Sequence, residues 1–366
     1  MVRSIGVDLT ACWRPRAGML TVAVELTAAM LAADGADRSY TLFCSRERPP
    51  ALAGARARAA RAVLSPHRHE VPNKLRWLPA VEADAGLDAM LYPYWPCPPR
   101  RRAGAPPAAM VVHDLAFRVR PAEVPWQQRV YMGSIMGGAL RRAGTVLTPS
   151  QATRRDLLAH YPLPGLEARV RVLPEGCSLD GVEPGPLPNG LSPGFLLAVG
   201  TIEPRKNYSR LLAAYRLLKA RGGAPPLVVV GRVGWAYGRA LDELRAEPGV
   251  RLLTDVDDAG LLGLYRAAAA LAFPSLYEGF GLPLLEAMKE GLPALAGDAG
   301  ALPELAGDGA LLVDPLDVEA IAGGLQRVLG DSELRVRLAE AGPRRAAGYT
   351  WERAAAAALE SLDALR

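Results

Sequence analysis

The 366-residue chain has no apolar run near the ~18 residues a membrane-spanning helix needs, so no transmembrane segment is expected. Cysteine is scarce. Cys12, Cys44, Cys97 and Cys177 stand far apart with no C-x-x-C pair, which argues against a zinc site or redox dithiol and for free thiols in a reducing compartment. Lysine occurs at 74, 206, 219 and 289, leaving arginine to carry nearly all the positive charge, and histidine occurs at 67, 69, 113 and 160. No G-x-G-x-x-G turn follows the early strands of either half, which argues against a nicotinamide dinucleotide cofactor. No basic motif is interleaved with aromatics, which argues against nucleic acid as a partner. The opening Met1-Val-Arg-Ser-Ile-Gly-Val-Asp8 reads as a first strand without the basic and apolar regions of a signal peptide, so a cytoplasmic location is expected.

Half of the residues are hydrophobic, and Gly (37) and Pro (32) are plentiful, which suits short loops between alternating strands and helices. The length corresponds to about two domains. Apolar runs predict strands at 5–9, 40–44, 89–92, 109–112, 145–148 and 170–173, giving a first α/β domain over 1–175. A proline- and glycine-rich stretch, 176–194, reads as a linker. A second α/β domain over 195–342 has strands near 195–199, 227–231, 250–253, 270–273, 293–296 and 310–313, and the C-terminal helix, 343–366, is expected to pack back on the first domain. Parallel halves of this kind place ligands at the C-terminal ends of their strands.

The net charge of +5 is modest but unevenly placed: Arg46, Arg48, Arg56, Arg58 and Arg61 share one segment, His67, Arg68 and His69 follow, and Arg100 to Arg102 form a run. Such a surface could rest on an anionic membrane, and arginine-rich solvated loops account for it equally well.

Two segments carry most of the chemistry. In Ser275-Leu-Tyr-Glu278-Gly-Phe-Gly-Leu-Pro-Leu-Leu-Glu286-Ala, a buried strand ending at Phe273 runs into a glycine turn that opens a helix, with Pro283 in its first turn. Gly279 and Gly281 allow backbone geometries and close approach that other residues block. Amides at a helix start carry partial positive charge toward a diphosphate or a sugar hydroxyl. Glu286, acceptor-only when ionised, suits the two hydrogens of a vicinal diol such as a ribose. In Phe195-Leu-Leu-Ala-Val-Gly200-Thr-Ile-Glu-Pro-Arg205-Lys206-Asn207, a strand and a glycine turn lead to two adjacent cations at the mouth of an amphipathic helix, a pairing suited to phosphate oxygens.

With Val111-Val-His113-Asp114-Leu-Ala-Phe117, Thr148-Pro-Ser-Gln-Ala-Thr-Arg-Arg-Asp-Leu157, Val172-Leu-Pro-Glu-Gly176, Val228-Val-Val-Gly231-Arg-Val-Gly-Trp235, Leu302-Pro-Glu-Leu-Ala-Gly307 and Val313-Asp-Pro-Leu316, these segments resemble, in order and spacing, the retaining glycosyltransferases of family 4 (GT4). The resemblance covers nearly the whole chain and is nearest to enzymes that build bacterial polysaccharides, often from mannosyl donors. It implies a GT-B fold, two Rossmann-like doubly wound domains facing across a cleft that holds a nucleoside diphosphate sugar. Arg205 and Lys206 are then expected on the diphosphate, Glu286 on the ribose, and Glu278 with the amides of Gly279, Phe280, Gly281 and Leu282 around the transferred sugar. His113 falls near the reaction centre, and Asp114 either orients it or meets the acceptor. The implied acceptor is a glycan, a lipid-linked intermediate or a small molecule.

Asp255-Val-Asp257 has the D-x-D spacing of metal-dependent transferases of the other main fold. Asp257 precedes a helical run and reads better as its N-cap, so no metal or other cofactor is expected. Two places depart from the family. The first loop reads Arg16-Ala-Gly18-Met19-Leu20-Thr21, where Gly18 still permits close backbone approach but the usual arginine-tyrosine pair is missing, and Thr254-Asp255 stands where a glycine and an aromatic are usual. A sugar-nucleotide epimerase of the same architecture and a non-catalytic partner of another transferase remain as alternatives.

Overall fold

The computed structural model describes residues 2–12, 18–34, 37–45, 47–52, 54, 60–67, 72–94, 96–98, 100–234 and 238–365. Arg16, Arg46, Arg56, Arg58, Arg68, His69 and Trp235 therefore lie outside the described residues. The chain forms two compact units, one built from Met1–Val119, Trp126–Ser178 and Thr350–Arg366, the other from Arg120–Pro125 and Leu179–Tyr349.

The first unit contains a parallel sheet of β1 (Ser4–Leu9), β2 (Ser39–Cys44), β3 (Arg61–Leu64), β4 (Ala89–Tyr92), β5 (Ala108–Val111), β6 (Thr145–Thr148) and β7 (Val170–Val172), in the order β3-β2-β1-β4-β5-β6-β7. β4, β5 and β6 are buried throughout, as expected for strands covered on both faces. The edge strand β3 escapes sequence reading because its residues are mostly exposed, Leu64 at 53%, so no buried alternation marks it. The returning helix Trp351–Asp363 packs on the helix Met19–Ala33 and beside β4, β5 and β6. It starts where the Thr350 hydroxyl caps the Arg353 amide, and its Trp351 Nε1 donates to the Cys177 carbonyl at 3.0 Å. Residues 343–346 do not belong to it: they complete the preceding helix Ser332–Ala346 in the second unit, which runs through Pro343. The basic run at 100–102 is likewise not all surface, since the Arg101 Nε donates to the buried Glu82 at 2.8 Å.

The second unit contains a parallel sheet of β8 (Leu196–Val199), β9 (Leu227–Val230), β10 (Val250–Leu253), β11 (Ala270–Phe273), β12 (Ala294–Gly297) and β13 (Leu311–Val313), in the order β10-β9-β8-β11-β12-β13. The order reverses between β8 and β11, the switch point at which doubly wound sheets open a ligand crevice. The helix Tyr208–Ala220 buries Tyr208, Leu211, Leu212, Tyr215 and Leu218, a 3.6-residue stripe, against this sheet. The proline- and glycine-rich stretch is not loose throughout. The Gly185 amide donates to the Ala259 carbonyl at 2.7 Å, and a Cβ at Gly263 would meet the Gly185 carbonyl at 2.2 Å.

Candidate active site

In the second unit, both loops at the switch point converge. After β8 the chain turns at Gly200 (φ 147°), and a Cβ on Gly231 after β9 would lie 1.9 Å from the Gly200 carbonyl oxygen, so no side chain fits there. The Lys206 stem packs over Gly200, where a Cβ would meet its Cε at 3.2 Å. Arg205 and Lys206 occupy a 3-10 turn, Pro204–Lys206, closed by Asn207 in the left-handed region (φ 62°). That strained position is held by its own side chain, whose Nδ2 donates to the carbonyls of Pro274 (2.9 Å) and Pro315 (2.6 Å). The Leu276 amide adds a bond to the Arg205 carbonyl at 2.8 Å, fastening the loop after β11 to the loop after β8.

Glu278 is the meeting point of the two cations. Its Oε2 accepts from Arg205 Nη1 at 2.8 Å and its Oε1 from Lys206 Nζ at 2.6 Å. The other side of the guanidinium, Nε and Nη2, bonds Glu203 Oε1 at 3.1 and 2.7 Å, and Nη1 also donates to the Tyr277 carbonyl at 2.9 Å. Burial pushes the Glu278 carboxyl up, but the charges of Lys206 and then Arg205 outweigh it and hold its pKa below the ordinary value. Burial dominates at Glu203 and raises it, against the pull of Arg205. The result is a buried, nearly neutral cluster of two cations and two carboxylates.

Past Glu278, Gly281 (φ 112°) caps the helix Leu282–Lys289. Phe280 is buried, edge-on to Tyr349 at 5.6 Å, so it offers a site its backbone rather than its ring. Glu286 lies in the second turn, buried, and Tyr265 donates to its Oε2 at 2.8 Å. Burial raises the Glu286 pKa to about 7, opposed by the Tyr265 hydrogen bond and reinforced by Asp258. Asp257 caps its helix through the Gly260 amide at 2.8 Å, and Asp255 takes the Thr254 hydroxyl at 3.1 Å. Among the described residues no group of three or more His, Cys, Asp or Glu could hold a metal ion.

In the first unit, His113 follows β5 and is buried. Its Nε2 lies 2.7 Å from the Pro93 carbonyl, which can only accept, so that nitrogen carries a proton; Nδ1 lies 3.4 Å from Glu175 Oε1. Among the described hydrogen bonds none joins Asp114 to His113. Asp114 accepts from the Ala116 amide at 2.9 Å and starts the short helix Ala116–Val119, while Pro93 and Glu175 hold the ring. Gly18 (φ 47°) precedes the helix Met19–Ala33, and among the described residues no atom beyond its chain neighbours lies within 4 Å of where its Cβ would stand. Glu203, Asn207, Tyr265 and Glu175 go unassigned by sequence reasoning. Glu203, Asn207 and Glu175, each within a quoted segment, carry a signal that could have found them, and Tyr265 does not.

Comparison with known proteins gives these features their context. The sequence profile "Glycosyltransferase Family 4" matches residues 17–180, and "Glycosyl transferases group 1" matches 186–345. The O-antigen chain mannosyltransferase B of Escherichia coli is 32% identical over 257 residues, 67% of each chain. The D-inositol 3-phosphate glycosyltransferase of Corynebacterium urealyticum is 32% identical over 215 residues, 53% of this chain and about half (51%) of that relative. Among solved structures, sucrose-phosphate synthase from Thermosynechococcus elongatus superposes with a TM-score of 0.76 at 21% identity over 98% of both chains. Anabaena Alr3699/HepE in complex with UDP and glucose superposes at 0.72, with 18% identity, over 99% of this chain and 100% of that one. The chain therefore belongs to the family 4, group 1 glycosyltransferases and has their GT-B fold of two Rossmann-like α/β domains.

Proposed function

We propose that this glycosyltransferase transfers a sugar, with retention and without a metal ion, from a nucleoside diphosphate donor to a hydroxyl of a glycan, lipid-linked or small-molecule acceptor. GDP-mannose is the leading donor and a UDP-sugar the next, because the relative matched over two thirds of its length is an O-antigen mannosyltransferase. The observation that carries the reading is the Arg205–Lys206–Glu278 cluster at the β8/β11 switch point. As the bond from the anomeric carbon to the diphosphate oxygen breaks, negative charge gathers on the diphosphate, and preorganised Arg205 and Lys206 stabilise it. The acceptor oxygen bonds to the anomeric carbon on the face the diphosphate leaves, and its proton passes to the departing diphosphate. Two side-chain cations in place make a divalent ion unnecessary for that charge. Glu278, with the amides of Gly279 to Leu282, faces the transferred sugar, and Glu286 takes the ribose diol.

His113 is assigned to the donor sugar. Both its ring nitrogens face protein groups, so a sugar hydroxyl would replace the Pro93 or Glu175 contact. Arg61, Arg100 and Arg102, exposed in the first unit, suit an anionic surface carrying a lipid-linked acceptor. The test is turnover of GDP-mannose and a UDP-sugar panel with mannoside acceptors in chelator, with the product anomer read by NMR. A product of the donor's own anomeric configuration supports the reading. An inverted product, or strict dependence on magnesium or manganese, overturns it, and donor isomerisation without acceptor identifies an epimerase.

A further inference from the structure

Tyr265 is 1% exposed on the helix Asp258–Ala267, a position where a phenylalanine would pack equally well. A buried hydroxyl is costly unless bonded, and this one has a charge-bearing partner, Glu286 Oε2 at 2.8 Å, with the Pro283 carbonyl farther off at 3.3 Å. Glu286 and Pro283 sit on the helix Leu282–Lys289, so the hydroxyl ties that helix directly to the helix Asp258–Ala267. A carboxylate that must receive two hydrogens of a diol needs a fixed plane, and a free glutamate has rotatable bonds that would blur it.

We infer that Tyr265 is a positioning residue for donor recognition, which by bonding Oε2 fixes the plane of the Glu286 carboxylate and presents Oε1 to the ribose hydroxyls. This rests on the ribose role proposed for Glu286. Tyr265 touches no reacting atom, so its loss acts on binding and leaves the chemical step alone.

The test is calorimetric titration of wild type, Tyr265→Phe and Glu286→Gln with the nucleoside diphosphate of the donor and with its 2′,3′-dideoxy analogue, alongside steady-state kinetics. Wild type is expected to prefer the ribonucleotide by at least about tenfold, the value of a single hydrogen bond to a charged group. Tyr265→Phe is expected to cut that preference to within about threefold, raise donor KM about fivefold and leave kcat within about twofold. Affinity for the dideoxy analogue is expected to stay unchanged, which also verifies that the isosteric variant keeps a folded site. A Tyr265→Phe protein with the wild-type preference overturns the positioning role while leaving the ribose reading in place. A wild type that does not distinguish the two nucleotides overturns the ribose reading itself.

Discussion

Replacing Glu278 by glutamine should tighten the bare nucleoside diphosphate while slowing transfer. The carboxylate holds the two cations proposed to meet the diphosphate, at 2.8 Å from Arg205 and 2.6 Å from Lys206, and with Glu203 brings the four charges to zero. Glu278→Gln leaves the volume and one acceptor oxygen but raises the cluster to +1. A phosphate charge roughly 5 Å from Glu278 is repelled by ~3 kcal/mol at an effective dielectric near 20. Solvent and salt reaching the partly exposed Arg205 and Lys206 reduce that to roughly half, so the product nucleotide should bind about tenfold tighter. Transfer should fall about 100-fold, because the group proposed to face the sugar has lost its charge. Titration of the diphosphate by calorimetry, with single-turnover kinetics on the sugar donor and a melting curve to check folding, measures all three. Unchanged or weaker diphosphate binding in a folded variant would refute the argument that Glu278 and the diphosphate compete for the same cations.

Arg205→Ala should lower kcat/KM by about 10²–10³, the usual loss of one preorganised donor, with Lys206→Ala similar, as steady-state kinetics will show. Glu286 gives a pH signature. Its folded pKa of about 7 exceeds the ordinary 4.5, so it contributes stability below about pH 4.5 that is lost as pH rises toward 7. In the proposed ribose role Glu286 must be ionised to accept both diol hydrogens, so nucleotide affinity should weaken by up to about tenfold per pH unit below 7, and Glu286→Gln should remove this component of the titration. Gly231→Ala forces a Cβ to 1.9 Å from the Gly200 carbonyl and should destabilise the second unit by ~3 kcal/mol or more, visible as a lowered Tm.

Much of this architecture is legible from apolar runs. β4, β6 and β11 fall on the residues the pattern marks, because strands buried on both faces carry few polar residues, and β10 is legible from its Val250, Leu252 and Leu253 although it is a half-buried edge strand. β3 is invisible for the opposite reason, being an edge strand with an exposed surface. Asp257 is readable as a cap because capping is local, and the structure shows its bond to Gly260. The supports of the site are not local. Tyr265 lies 21 positions from Glu286, and His113 lies 62 from Glu175. Adjacency in sequence suggests that Asp114 steadies His113, whereas the ring's hydrogen-bond partners are Pro93 and Glu175, in the loops after β4 and β7, and Asp114 accepts from the Ala116 amide.

The most direct measurement is calorimetric titration of GDP, UDP, ADP and dTDP into wild type and Arg205→Ala. The account predicts that one of them binds the wild type well above the others and that Arg205→Ala loses that binding while keeping its fold. Equal binding by the folded variant would contradict the placement of the donor diphosphate at the β8/β11 switch point.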